Sequence, residues 1–415
     1  MVYNPYMEVY KVGGCIRDKY LNLSSKDQDW VVVGATPDEL KQLGYQPVGK
    51  DFPVFLHPES KEEYALARTE RKTAPGYTGF EFYAAADVTL EDDLKRRDLT
   101  INAMAEDANG TLIDPYNGKA DLDNRILRHI SPAFTEDPVR ILRVARFAAR
   151  FAELGFTVAD ETNELMQQMV DNGEVDALVP ERVWQETVNA LSKKTPARFF
   201  EVLRDCGALK KIFPEVERLY GVPQPEEYHP EIDTGVHTMM VLTQAARLSD
   251  DPAIRFAALV HDLGKGITPE NEWPKHIAHE ESGVPLVEAL CDRLKVPNQF
   301  RELAIIVTRY HLHYHRAVEM CDDTFLETLE KLDAFRRPER FEQFLVACEA
   351  DSRGRTGYED TEFDQPKIFR EAFAAAAKID AKPFIEQGLQ GTAIADAIKQ
   401  ARIEVIKQAR QPYLA

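Results

Sequence analysis

The stretch Val12–Val33, VGGCIRDKYLNLSSKDQDWVVV, decides how the chain is read. It gives a strand end, a Gly13–Gly14 turn, a short helix, and a polar loop feeding the apolar run Trp30–Val33. Asp27 and Asp29 stand two residues apart at the mouth of that second strand, and strand residues i and i+2 project from one face. Two carboxylates side by side repel each other unless a cation lies between them, and hard oxygen ligands suit Mg²⁺. Gly13 and Gly14 let the backbone approach a phosphate, and the N–H groups of the following helix favour an anion there. Arg17, in the first turn of that helix, adds a fixed fork of donors. A Gly-Gly turn alone is usually only a turn, and D-x-D alone is often a solvated loop. Within one short span they describe a site for a metal-bound triphosphate.

Outward from that stretch, residues 1–130 mix short strands and helices. Strand candidates are Glu8–Val12, Asp29–Val33, Val54–His57, Glu63–Ala67 and Thr100–Ala105; helices fit near Ile16–Leu21 and Pro37–Leu43. Ala74–Tyr83, APGYTGFEFY, reads as a mobile loop rather than a core strand. From Pro138 the pattern is helical almost to the end. GVPQPEEYHPEI (221–232) carries three prolines and several acids, a linker composition. A second break falls at Arg353–Pro366. The expected fold class is α+β: a small mixed-sheet head (1–130), a helical neck (131–222), a helical module (228–330) and a helical tail (331–415).

The chain has 415 residues, enough for roughly two to four domains with real cores. Hydrophobic content of 44% and charged content of 29% are those of a soluble globular protein. The N-terminal MVYNPYMEVYK lacks a basic-then-apolar signal pattern, and no apolar run approaches the roughly 18 residues of a membrane span. Cys15, Cys206, Cys291, Cys321 and Cys348 are odd in number and form no CxxC pair, so reduced thiols and a cytoplasmic setting are expected. The net charge of −19 opposes a polyanionic partner on average, so a nucleic acid must meet local basic stripes. Lys193, Lys194, Arg198, Arg204, Lys210 and Lys211 are candidates.

In FTEDPVRILRVARFAARF (134–151), Arg140, Arg143 and Arg146 recur every three residues and form one slanted stripe on a helix. Arg150 extends it, and no acid lies between Asp137 and Glu153. Such runs are commonly solvated or salt-bridged, but no compensating carboxylate sits on this helix, which favours an anionic ligand. Asp137 before Pro138 also fits a plain helix N-cap followed by proline. Its functional reading is chemical. A carboxylate accepts from the exocyclic amine of cytosine or adenine and rejects the carbonyl of uracil or guanine. Arg140 can donate to the adjacent ring nitrogen, so the Asp137–Arg140 pair selects C and A without a template.

A second chemical cluster begins at HDLGKG (261–266), after the apolar AIRFAALV. Adjacent His261 and Asp262 can bind one metal or two neighbouring ones, and Gly264 suits a helix end. His237, His276, His279, the run HLHYHR (His311, His313, His315) and Asp351 complete the candidates.

VGGCIRD with KDQDWVVVG, and then RRDLTINA (96–103), resemble the nucleotidyltransferase superfamily of poly(A) polymerases and tRNA CCA-adding enzymes. That resemblance implies a two-Mg²⁺ site at Asp27 and Asp29, with Glu63 in EYALAR as the third carboxylate. It implies nucleotide contacts from Gly14, Arg17, Arg97, Asn102, Asp137, Arg140, Arg143 and Arg146. H…HDxGK…D resembles the HD phosphohydrolase family and implies metal ligation by His237, His261, Asp262 and Asp351, with Lys265 near a phosphate. The HD-site metal is then a divalent transition metal, nickel being the candidate. Head, neck and HD module in one chain resemble the class II bacterial CCA-adding enzymes of the gamma-proteobacterial kind. The resemblance implies CCA addition to tRNA from CTP and ATP, with 2′-nucleotidase, 2′,3′-cyclic phosphodiesterase and phosphatase activity at the HD site. It also implies no membrane partner and a monomer or weak homo-oligomer. The alternatives are a bacterial poly(A) polymerase, an HD phosphohydrolase with a degenerate head, and a non-catalytic tRNA-binding module.

Overall fold

The structure, a computed structural model, describes residues 7–24, 28–48, 54–72 and 80–414. The chain forms two compact units, Met1–Ala190 with Arg198–Ile212, and Leu191–Ala197 with Phe213–Ala415. The expected neck, 131–222, is divided between them, residues 191–197 and 213–222 falling in the second unit.

The first unit is built on a seven-stranded sheet. Its strands are β1 (Glu8–Val12), β2 (Asp29–Val33), β3 (Gln46–Val48), β4 (Val54–Leu56) and β5 (Glu63–Leu66), while β6 (Thr69–Lys72) and β7 (Phe80–Tyr83) form a separate ribbon. With β8 (Ala105–Glu106) and β9 (Leu112–Ile113) the order is β3-β4-β5-β2-β1-β8-β9. Only β2 and β5 run parallel within this sheet, so it is mixed. Alternation along β2 sends Val31 into one core with Val12, Leu94 and Ala105, and Val32 into another with Leu40, Phe55 and Leu66. Covering on both faces explains why DWVVV reads as a continuous apolar run. The helices that supply those covers, α1 (Gly14–Tyr20), α2 (Pro37–Gln42) and α3 (Leu90–Lys95), are short. The last two begin with capping boxes, Thr36 with Glu39 and Thr89 with Asp92.

Two sequence expectations are corrected. Thr100–Ala105 is not a strand: Thr100–Asn102 is a 3₁₀ turn, and only Ala105–Glu106 joins the sheet. Thr100 Oγ1 donates to Asp121 at 2.7 Å and Asn102 Nδ2 to Asp98 at 2.9 Å, so local polar bonds displace the ladder. The second half of the expected loop, Phe80–Tyr83, pairs antiparallel with β6; residues 74–79 lie outside the described ones, as does Asp27.

After α4 (Gly118–Asn124), the strands β10 (Ile126–Leu127) and β11 (Thr157–Val158) pair across α5 (Val139–Phe151). Next come α6 (Asp160–Asp171), α7 (Pro180–Leu191), α8 (Ala197–Asp205) and α9 (Ala208–Ile212). The second unit is helical: α10 (Pro214–Glu217), α11 (Thr234–Leu248), α12 (Pro252–Val260), α13 (His279–Leu294), α14 (Asn298–His315), α15 (Asp322–Lys331), α16 (Pro338–Arg353), α17 (Gln365–Ala376), α18 (Lys382–Glu386) and α19 (Thr392–Arg410). Asp233 and Asp251 cap α11 and α12 through their side chains. Among the described residues no helix is long and apolar enough to cross a membrane.

Candidate functional site

In the head, the parallel pairing of β2 with β5 sets Asp29 directly opposite Glu63. Residues in register point to the same side, so both carboxylates border one recess of about 150 Å³, which Arg68, Arg96 and Arg97 also line. Gly13 has φ 74°, and a Cβ there would stand 2.6 Å from Arg97 Nη1. The backbone there favours glycine, and a larger side chain would push the Arg97 guanidinium aside. Asp93, fully buried, fixes that corner: Arg96 lies 2.8 Å and Arg97 3.2 Å from its oxygens. Burial opposes its charge, but the two arginines outweigh it and hold the carboxyl below its ordinary value.

Arg17 is held inside the head rather than extended over its surface. It is 3% exposed. Its Nη1 donates to Asn102 Oδ1 at 2.5 Å, its Nη2 lies 2.8 Å from Asp18, and its guanidinium faces the rings of Phe147 and Phe151. Burial lowers its pKa, against the pull of Asp18. Gly14 sits against this group, its Cβ position 3.4 Å from Nη2.

The arginine stripe folds as a helix, as its period requires, but carboxylates from elsewhere meet it. Arg143 donates to buried Asp98 at 2.7 Å, Arg146 to Glu186 at 2.5 Å, and Arg150 to Asp18 at 2.9 Å. Asp98 also accepts from Leu99 N and Asn102; burial opposes its charge, yet Arg143 and these donors hold its carboxyl well below the usual range. The Asp137 carboxylate accepts from Val139 N at 3.0 Å, just before α5, and pairs with Arg182 at 3.0 Å. Arg140 is buried and donates to the carbonyls of Ala133 (2.9 Å) and Arg96 (2.7 Å). Sequence reasoning missed Asp18, Asp98, Arg182 and Glu186, because each partner lies tens of residues from the arginine or aspartate it meets.

In the second unit, His237, His261 and Asp351 bring ligand atoms within 4.8 Å of one another, and Asp262, His279 and His311 do the same. All these side chains are buried. Four of the rings are anchored alike. The Nδ1 of His237, His261, His279 and His311 faces the carbonyl of Gly354, Ala258, His276 and Thr308, respectively, at 2.7–3.0 Å. A carbonyl accepts only, so each Nδ1 carries a proton and each Nε2 is turned to the interior, where it offers a lone pair to a cation when the ring is neutral. Asp262 joins the two groups, with Oδ2 3.2 Å from His261 Nε2 and Oδ1 3.2 Å from His279 Nε2. Neither His261 Nε2 nor Asp262 Oδ1 has a hydrogen-bond partner among the described residues. Inward lone pairs, buried carboxylates and unpartnered atoms fit a divalent cation.

The electrostatics divide the rings. Burial alone would lower His261, but the Asp262 and Asp351 carboxylates prevail and push it up to about 10, so at neutral pH the ring is protonated and gives up its Nε2 proton to ligate a cation. Burial, resisted by Asp262, takes His311 well below its ordinary value, leaving it neutral. His315 Nε2 closes on Asp351 Oδ2 at 2.6 Å, and Lys265 Nζ on Asp262 Oδ2 at 2.6 Å. Gly264 lies inside the 3₁₀ turn Leu263–Ile267, where a side chain would collide with the His279 carbonyl. His276 and His313 lie apart from both groups, His276 bonded to the Pro223 carbonyl and His313 to Thr328.

Three family profiles match the chain: "Poly A polymerase head domain" over residues 9–128, "Probable RNA and SrmB- binding site of polymerase A" over 155–219, and "HD domain" over 234–338. A Multifunctional CCA protein of Thioalkalivibrio sulfidiphilus (strain HL-EbGR7) is 65% identical, covering 97% of this chain and 98% of that one. One of Alkalilimnicola ehrlichii (strain ATCC BAA-1101 / DSM 17681 / MLHE-1) is 60% identical, covering 98% of each. Among solved structures, a CCA-adding enzyme complexed with ATP is similar in fold at 20% identity and TM-score 0.65, over 96% of this chain and 86% of that one. The Thermotoga maritima CCA-adding enzyme complexed with tRNA gives TM-score 0.60 at 18% identity, over 98% and 92%. The mixed-sheet head, the helical body and these near-full-length identities lead to one conclusion: the chain belongs to the family of multifunctional CCA proteins.

Proposed function

We propose that the chain builds and repairs the 3′-terminal CCA of tRNA from CTP and ATP without a nucleic-acid template, releasing pyrophosphate, and that its HD unit is a separate metal-dependent phosphohydrolase. The observation that carries the first part is the register of Asp29 against Glu63 beside Arg96 and Arg97. Asp29, Glu63 and Asp27 would hold Mg²⁺, which when bound supplies Lewis-acid activation of the tRNA 3′-hydroxyl and neutralises the triphosphate. The hydroxyl attacks the α-phosphorus in line and pyrophosphate leaves. Gly13 and Gly14 admit the phosphates to the backbone, and Arg97, Arg143 and Arg146 face the charge of the triphosphate and leaving group. Arg17 keeps α1 against the neck from within. Because Arg143 and Arg146 rest on Asp98 and Glu186, triphosphate binding exchanges one set of anions for another.

Asp137 and Arg140 are the proposed base-reading pair. Arg182 and the Val139 amide hold the carboxylate, and reading cytosine or adenine requires its remaining lone pairs. On the helical side, Arg198, Arg204, Lys210 and Lys211 suit the RNA backbone, which is read by shape and phosphates. We assign the head to 1–130, the neck to 131–222, the HD module to 228–330 and the tail to 331–415, in a cytoplasmic enzyme.

At the HD site, His237, His261, Asp262 and Asp351 would hold the metal, nickel being the candidate, and Asp262 with His279 and His311 a second ion. The inward Nε2 lone pairs support both. Lys265, held by Asp262 and Gln224, would contact a phosphate oxygen of a 2′-nucleotide or 2′,3′-cyclic phosphate.

The test is incorporation of labelled CTP and ATP into tRNA trimmed of its end, with UTP as control. Growth stopping at three residues is expected. Continued adenylate addition would identify a poly(A) polymerase instead.

A further inference from the structure

Segment 221–233 has the composition of a linker, but it folds against the HD pocket. We infer that it is a working part of that pocket, in which Glu231 and Gln224 are positioning residues for His237 and Lys265. The inference rests on the metal-site reading of the HD unit.

The segment is pinned at both ends. Gln224 N donates to Ile232 O at 2.7 Å, Thr234 N to Val222 O at 3.0 Å, and Gly221 N to Asp233 Oδ2 at 2.6 Å. Asp233 is also the cap of α11, so the segment is tied to the helix that carries His237. From this frame Glu231, its side chain 2% exposed, reaches His237 Nδ1 at 2.9 Å and His229 Nδ1 at 3.1 Å. Its second oxygen accepts from Thr356 N at 3.3 Å. Gln224, also 2% exposed, accepts from Lys265 Nζ at 2.7 Å.

His229, Glu231 and His237 meet the distance requirement for a metal group of their own, but the tautomer argues otherwise. A neutral imidazole has one lone pair. His237 Nδ1 also faces the Gly354 carbonyl at 3.0 Å, so Nδ1 carries a proton, and Nε2, 3.1 Å from Asp351, is the nitrogen that can be freed for a cation. Glu231 therefore accepts a hydrogen bond from a ligating histidine. That arrangement fixes the ring and raises its basicity towards a metal. Gln224 acts likewise at one remove. Lys265 can only donate, so the Gln224 amide is fixed with its oxygen towards Lys265. Its Nε2 meets no acceptor among the described residues, so its N–H is open to an oxygen that a ligand would bring.

The experiment uses the full-length protein and Co²⁺, with affinity followed by chelator competition and by the visible absorption of bound Co²⁺. Against wild type, His261→Ala should lose Co²⁺ binding and Glu231→Ala should weaken it about 10–100-fold. Glu231→Gln, which keeps an oxygen for His237, should restore most of the affinity. Gln224→Ala should leave Co²⁺ affinity near wild type but raise KM for a 2′,3′-cyclic nucleotide about tenfold with kcat little changed. Glu231→Ala binding Co²⁺ as tightly as wild type, or Gln224→Ala with unchanged KM, would overturn the assignment of that residue. If wild type takes up no Co²⁺, or His261→Ala takes it up equally, the metal-site reading itself fails. Loss of affinity in Glu231→Gln equal to that in Glu231→Ala would also overturn the hydrogen-bond argument.

Discussion

The neck helix and the HD pocket both concentrate charge, but they dispose of it in opposite ways. On α5 each of Arg143, Arg146 and Arg150 finds its own carboxylate, and the guanidinium groups of Arg146 and Arg150 lie over Phe147 and Phe151. In the HD pocket, carbonyls hold the histidines by one nitrogen only, and atoms such as His261 Nε2 and Asp262 Oδ1 are left facing inward. The first arrangement is neutralised and must exchange partners to take an anion. The second gathers buried nitrogens and carboxylate oxygens that would suit a cation. A stripe of like charges in sequence therefore says little about whether a site is vacant or filled; the counter-ions decide it.

The largest expected effects separate the two regions outright. Asp29→Ala should reduce CTP incorporation into trimmed tRNA by on the order of 10³-fold or more, because a carboxylate facing the reacting phosphate is lost. It should leave hydrolysis of a 2′,3′-cyclic nucleotide untouched. His261→Ala should do the reverse, removing hydrolysis and sparing incorporation. Cross-loss in either variant would break the contrast between independent regions.

A smaller effect sharpens it on the neck. Asp137→Ala should relax base choice, so that UTP incorporation relative to CTP rises about tenfold, roughly the discrimination of one base-edge contact pair of 1–3 kcal/mol. Arg182→Ala, which frees the same carboxylate, should keep the preference for C and A. If Asp137→Ala leaves base choice unchanged and only lowers the melting temperature, Asp137 is a helix cap and nothing more.

How much of this was legible follows from the range of each interaction. The β1–turn–α1–β2 frame and the period of α5 are local, and the residues announce them. The parallel pairing that sets Glu63 opposite Asp29 spans a crossover of two strands and a helix, so the sequence offered Glu63 only by resemblance. Asp98 was hidden for another reason. In RRDLTINA it sits in a run that alternates like a strand, yet its hydrogen bonds with Asn102 and Leu99 turn the chain into a 3₁₀ segment. In the HD unit the motif gave His261 and Asp262, but the choice among the other histidines depends on which backbone carbonyl meets each Nδ1. Composition also misled at 221–232, where prolines fix a docked segment.

Removing the charge on Asp98 probes the neutralised region by stability. Asp98→Asn keeps the shape and loses the ion pair, and should cost about 1–3 kcal/mol by denaturant unfolding. That is less than a wholly buried pair, because the Arg143 side chain is 39% exposed.

The pH dependence of the metal-free protein gives the finest discrimination. Asp98, Asp262 and Asp351 all have carboxyls held below their ordinary value. Stability from these groups is present above the unfolded pKa, about 3.9, and is lost as pH falls below it, so both units weaken in acid. The alkaline side differs. His261 is raised to about 10; its contribution is complete below the unfolded value of about 6.5 and is lost as pH rises towards 10. The arginines of α5 lose no proton in that interval. Hydrogen exchange between pH 7 and 10, corrected for the intrinsic rate, should therefore show α11, α12 and α16 losing protection while α5 keeps its own. A divalent ion needs His261 neutral, so loading the protein with Co²⁺ should abolish the difference. Equal loss of protection in α5 and α12 would mean that the raised histidine does not hold the HD pocket together.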